Sequence, residues 1–162
     1  MSKILIISAT KGTNFILANN IKRNIDIKNE IVVLEDYEMP LYLPNLKNID
    51  KTLIYELGQK FKYADGLIFC APEYNGGSPP ILTNAITWLS VITDNFRELF
   101  SNKKALIGTH SGGAGARFLS TFRIQLEHLG VIVFPRAIMV NNSKPFNEKS
   151  TKSILDDFIK LL

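Results

Sequence analysis

The sequence predicts an α/β protein: a three-layer α/β/α sandwich built on a five-stranded parallel sheet in strand order 2-1-3-4-5. Three observations carry this. Five short runs rich in Ile, Val, Leu or Phe alternate with longer segments of helical period, the rhythm of a parallel sheet covered on both faces. A length of 162 residues with 46% hydrophobic content suits one continuous core, and so a single domain over 1–162. Strict alternation of five strands with five helices has the doubly wound order as a common solution, with the first and third strands adjacent at the switch point.

The elements follow in chain order. Residues 3–8 form the first strand, and Leu17, Ala18, Ile21 and Ile25 mark the stripe of the first helix. The second strand is expected over 30–35, and the second helix carries Leu53, Ile54, Leu57 and Phe61 behind Asp50 as its cap. Residues 66–71 form the third strand. Ser78, Pro79 and Pro80 open the third helix, because proline suits a first helical turn, and Leu82, Ala85, Ile86 and Leu89 continue it. The fourth strand spans 104–109. Phe118, Leu119, Phe122, Leu126 and Leu129 then mark a helix that stops at Gly130. The fifth strand is expected over 131–135, and Ile154, Leu155, Phe158 and Ile159 mark the last helix.

Bulk properties exclude several classes. Every apolar run is interrupted well before the ~20 residues a membrane helix needs, and the first run is too short for a signal-peptide core. Cys70 is the only cysteine, which fits a reducing compartment and a cytoplasmic location. The net charge of +4 comes from scattered lysines and arginines, without the dense basic cluster of a nucleic-acid footprint. Two histidines far apart and one cysteine offer no metal-ligand spacing. Small anionic ligands are the expected partners.

Ligands of such sheets bind outside the carboxyl ends of the strands. Three loops end there. The first, Ser8-Ala9-Thr10-Lys11-Gly12-Thr13-Asn14, joins a strand to a helix and offers hydroxyls, a cation and a permissive glycine. Unpaired N–H groups at a helix start suit a phosphate. A plain capped turn is the other open reading, and neither the dinucleotide fingerprint nor the P-loop pattern is present. The second loop holds Pro72, Glu73, Tyr74, Asn75, Gly76, Gly77 and Ser78 before Pro79 and Pro80. Its prolines and glycines fix a backbone shape while Tyr74 presents a flat face, as a planar ring with polar edges would require. The third, His110-Ser111-Gly112-Gly113-Ala114-Gly115-Ala116-Arg117, lets a ligand approach the backbone closely, or is a flexible glycine loop without a role.

Pro72-Glu73-Tyr74-Asn75, then Pro79-Pro80, then the stretch from Leu82 to Ser90 containing Asn84 and Trp88, resemble the signature of the NAD(P)H-dependent FMN reductase family. That family includes bacterial chromate and quinone reductases and some azoreductases. The resemblance covers residues 3 to about 130. It extends to the 37–42 segment after the second strand, and the first loop is similar to the family's phosphate loop. Departures are Ile7 where glycine is usual, Thr10 where arginine is usual, and Ala116 where a further glycine is common.

The resemblance implies a flavodoxin-like fold, non-covalent FMN, NADPH or NADH as electron donor, and a homodimer or homotetramer. Ser8, Thr13 and Asn14 would hold the FMN phosphate, joined by Thr10 and by Lys11 as a substitute countercharge. Pro72, Glu73, Tyr74, Asn75 and Gly76 would hold the ribityl chain and ring, and Ser111, Gly112 and Gly113 would flank it. His110, at the end of the fourth strand, either donates a hydrogen bond to the ring or is a solvated loop histidine. No protein acid or nucleophile is required, because the chemistry resides at N5 of the flavin. Glu73 is read as a solvated charge or a loop-anchoring acceptor. The implied activity passes electrons from reduced nicotinamide through FMN to a small acceptor, such as a quinone, a flavin, chromate or an azo compound. Two alternatives are a flavodoxin-type electron carrier, which the pI of 9.2 disfavours, and an interaction protein without flavin.

Overall fold

The computed structural model describes residues 3–162. Its strands are β1 (Lys3–Ser8), β2 (Lys28–Val33), β3 (Gly66–Cys70), β4 (Lys104–His110) and β5 (Ile132–Val140). They form one sheet in the order β2-β1-β3-β4-β5, every neighbouring pair parallel. The helices are α1 (Thr13–Arg23), α2 (Thr52–Lys62), α3 (Pro80–Val91), α4 (Ala116–His128) and α5 (Glu148–Ile159).

Alternation along the strands divides the interior into two layers. Ile4, Ile6, Ile68 and Cys70 face one way, with Leu17, Ala18 and Ile21 of α1 and Leu155 and Phe158 of α5. Leu5, Ile7, Leu67 and Phe69 face the other, beneath residues of α2, α3 and α4 such as Phe61, Leu89 and Phe122. The sheet is covered on both sides, which is why β3 reads as an unbroken apolar run. The architecture is flavodoxin-like, in the predicted strand order.

Several boundaries differ from expectation. β2 starts at Lys28 and ends at Val33, because Leu34–Asp36 forms a 3-10 turn. As an edge strand it begins on polar residues that carry no apolar signal. β5 starts one residue later than expected, at Ile132, and runs past Pro135 to Val140. The register against β4 slips between Ala105 and Ile107, whose partners are Val133 and Ala137. Proline is tolerated in such a bulge on an edge strand, and Arg123 donates to the freed carbonyls of Val133 (3.3 Å) and Phe134 (2.8 Å). Leu53 is 37% exposed, outside the buried stripe of α2. Asp50 precedes the helix boundary by two positions and accepts the Thr52 N–H at 2.8 Å.

Candidate functional site

The sheet ladder continues into the loops at its carboxyl edge. The Ala9 N–H donates to the Cys70 carbonyl (2.9 Å), Ala71 to Gly108 (3.2 Å), and Ser111 to Val140 (3.2 Å). These bonds bring the loops after β1, β3, β4 and β5 to one side of the molecule before any side chain contributes.

In the first loop most of the polar side chains are engaged within the protein. Ser8 is fully buried and its hydroxyl donates to the Thr10 carbonyl at 2.8 Å. Lys11 turns to the 3-10 turn after β2: its ammonium pairs with Asp36 at 2.6 Å, and its backbone N–H donates to Glu35. The Asp36 carboxylate raises the Lys11 pKa above its ordinary value by hydrogen bonding and charge. Asn14 is 1% exposed. Its amide donates to the His110 carbonyl at 2.9 Å and accepts the His110 N–H at 2.8 Å, so one side chain acts as an extra strand residue beside β4. What stays open is the start of α1. Its N-cap is Gly12, and no side chain caps it; Phe15 N–H turns back to the Gly12 carbonyl at 3.0 Å, which leaves the N–H groups of Thr13 and Asn14 for a ligand.

The second loop is a preformed turn. Tyr74 and Gly77 exchange backbone hydrogen bonds of 3.0 and 2.9 Å, and the two residues between them, Asn75 (φ 50°) and Gly76 (φ 75°), are both left-handed. That is the two-residue Asn-Gly turn. Its apex lifts the Tyr74 ring until 49% of the residue is exposed. The Glu73 backbone N–H donates to Ser111 Oγ at 2.8 Å, and the Glu73 carboxylate accepts the Phe118 N–H at 3.0 Å. Glu73 is thus a loop anchor, facing the start of α4.

The third loop closes the arrangement. Thr109 and Ser111 hydroxyls share a hydrogen bond of 2.8 Å. Gly115 has φ 69° and is the N-cap of α4, and a Cβ there would lie 2.7 Å from Thr109 Cγ2. Only glycine fits that corner.

Together the loops enclose a 340 Å³ cavity lined by Thr10, Gly12, Thr13, Asn14, Pro72, Glu73, Tyr74, His110, Ser111, Gly112 and Asn142. Of the residues predicted from sequence, Thr10, Thr13, Asn14, Pro72, Glu73, Tyr74, His110, Ser111 and Gly112 reach it. Ser8, Lys11, Asn75, Gly76 and Gly113 do not line it. The countercharge expected of Lys11 is neutralised by Asp36 instead. Gly12 and Asn142 are additional. Asn142 was hidden by the early end expected for β5; the signal was the apolar run Ala137-Ile138-Met139-Val140 beyond Pro135.

The 37–42 segment is strapped to α3. Trp88 Nε1 donates to the Pro40 carbonyl at 2.7 Å, Asn84 Nδ2 to the same oxygen at 3.0 Å, and Asn84 Oδ1 accepts the Tyr42 N–H at 2.9 Å. Tyr42 packs edge-on to Trp88 with ring centroids 5.0 Å apart. Trp88 is a buried anchor.

A larger cleft of 640 Å³ flanks the edge strand β2, between Phe15, Lys22, Glu30, Tyr37, Glu56 and Lys60 among others. Its walls mix charged side chains with apolar ones such as Phe15, Val32 and Leu53, and it receives none of the second or third loops. Burial, then Glu56, Glu30 and Asp36, push the Tyr37 phenol up to about 12, so it is neutral near pH 7. The four-loop cavity sits at the switch point, and we take it as the site.

Known proteins resemble this chain along most of its length. Residues 2–145 match the family model described as NADPH-dependent FMN reductase. A quinone reductase of Escherichia coli (strain K12) is 28% identical over 141 residues, covering 85% of this chain and 71% of the relative. An NADH-dependent flavin reductase subunit 2 of Lactobacillus johnsonii is 26% identical over 137 residues, covering 78% and 71%. Among solved structures, the flavoenzyme NAD(P)H:(acceptor) oxidoreductase FerB of Paracoccus denitrificans superposes with a TM-score of 0.82 over 99% of this chain and 96% of that one, at 18% identity. The matched segment contains the first three loops and the strap on α3, and extends through Asn142: the chain belongs to the NADPH-dependent FMN reductase family.

Proposed function

We propose that this chain is an NAD(P)H-dependent oxidoreductase that passes electrons through bound FMN to a small acceptor, with quinones first among the candidates and flavins, chromate and azo compounds beside them. The observation that carries the reading is the four-loop cavity at the β1/β3 switch point, with an uncapped helix start at one end and an exposed tyrosine face at the other. The quinone reductase relative supports the acceptor class. A homodimer or homotetramer is part of the proposal.

The residues fit FMN. Gly12, Thr13 and Asn14 would hold the phosphate through backbone N–H groups at the start of α1, with the Thr13 hydroxyl beside them. A Cβ on Gly112, in the cavity wall, would meet nothing within 4 Å, so the third loop leaves space against which a flat ring can lie. Bound FMN supplies the electron-accepting and electron-donating ring.

The protein's part is positioning and exclusion of water. Pro72 and the left-handed turn fix Tyr74 at the rim, where its ring can cover one face of a planar ligand. Asn14 holds His110 in register, and backbone N–H groups from the second and third loops provide fixed dipoles. No side chain need change protonation state, because the proton that reduction of a quinone takes up beyond the hydride can come from solvent.

An absorption spectrum of freshly purified protein, with and without added FMN, tests cofactor binding: flavin bands and a thermal shift on adding FMN are expected. Anaerobic stopped-flow then tests the reaction. If neither NADPH nor NADH bleaches the bound flavin, the reductase reading is lost.

A further inference from the structure

Glu73 grips both ends of the third loop. Its backbone N–H donates to Ser111 Oγ at 2.8 Å, ahead of the glycines, and its carboxylate accepts the Phe118 N–H at 3.0 Å, beyond them. Between these points Gly112, Gly113 and Ala114 are exposed. Phe118 is the third residue of α4, the position whose N–H a capping side chain ordinarily takes. α4 has no such side chain of its own: its N-cap is Gly115, and its first turn holds no acidic residue. A carboxylate from a different loop fills the role, and its charge complements the helix dipole. The same turn of α4 also touches the second loop, since a Cβ on Gly76 would lie 3.3 Å from Arg117 Cδ.

We propose that Glu73 is a latch. It is a positioning residue that sets the separation between the 72–77 turn and the glycine wall, and so governs how long a flavin stays between them. In this role it is neither a cofactor ligand nor a proton donor. The proposal rests on the flavin reading for the identity of the ligand, whereas the latch itself is a property of the polypeptide. With one end released, residues 112–117 regain backbone freedom and the ring loses an ordered wall. Glutamine keeps an oxygen that accepts the Phe118 N–H and removes only the charge. Aspartate keeps the charge but is shorter by one methylene.

Two measurements on Glu73→Gln, Glu73→Asp and Glu73→Ala test this: hydrogen exchange across 111–118 in flavin-free protein, and the FMN dissociation rate from loaded protein by fluorescence. For Ala and Asp, exchange in 112–118 is expected to rise about five- to tenfold, the loss of one helix cap, and FMN release to accelerate at least about fivefold by the same reasoning. Glu73→Gln should remain within about threefold of the parent in both, because the hydrogen bond survives and only the charge–dipole contribution is lost. The latch is overturned if Asp matches the parent in both measurements, or if Gln is as damaging as Asp. Should the Ala variant not fold, the Asp and Gln arms decide alone. If the parent binds no FMN, the flavin reading fails, and the exchange measurement still judges the latch.

Discussion

The loops after β1 and β3 wall the same cavity but hold their shapes by opposite means. After β1, side chains do the holding: Ser8 on Thr10, Lys11 on Asp36, and Asn14 on both backbone groups of His110. After β3, backbone conformation sets the form, through two left-handed residues closed by the Tyr74–Gly77 exchange. The difference shows what each loop has left for a ligand. The first has engaged much of its side-chain polarity internally, leaving a helix start and the Thr13 side chain. The second keeps its side chains free because it does not need them to stay folded, apart from Glu73.

Removing one side chain from the first loop should therefore do the greatest harm. Asn14→Ala leaves the N–H and carbonyl of His110 without partners, and a loss of about 2–4 kcal/mol is expected in urea unfolding. FMN affinity should fall at least about tenfold with it; an unchanged unfolding midpoint would remove Asn14 from its place as the junction. The second loop should break by a backbone change instead. Gly76→Ala forces a side chain into φ 75°, which costs about 1 kcal/mol in stability, with FMN affinity reduced about fivefold. Equal affinity in calorimetric titration would mean that the turn does not shape the site. The smallest effect belongs to Lys11→Ala, whose pair with Asp36 is exposed: the FMN dissociation constant should move less than about twofold. A larger shift in fluorescence titration would show that Lys11 leaves Asp36 to meet the phosphate.

These contrasts also explain how far the sequence was readable. β1, β3 and β4 were legible because strands buried on both faces are written mainly in apolar residues. The edge strands were not. β2 opens on the polar Lys28, Asn29 and Glu30, and Pro135 reads as a terminator until the bulge and Arg123 are seen to accommodate it. The Asn75-Gly76 turn was legible as a stiff loop because its geometry is local. The pairing of Lys11 with Asp36 was not legible, because Asp36 arrives through a 3-10 turn that sequence period does not report. Glu73 shows the limit most clearly: its bond to Phe118 spans 45 positions, and no local pattern marks the far end.

Cys70 lies directly before the second loop, yet it is fully buried in β3, and burial pushes its thiol pKa up. A reduced flavin exposed to air generates peroxide beside the residues that hold it, and thiolates are what peroxide attacks. Here the chain's one sulfhydryl is kept protonated and out of reach, two residues from Pro72 in the cavity wall. The fold thus gives the protein chemical endurance as well as shape: repeated turnover in oxygen should leave that sulfur reduced, as mass spectrometry of the used protein would show.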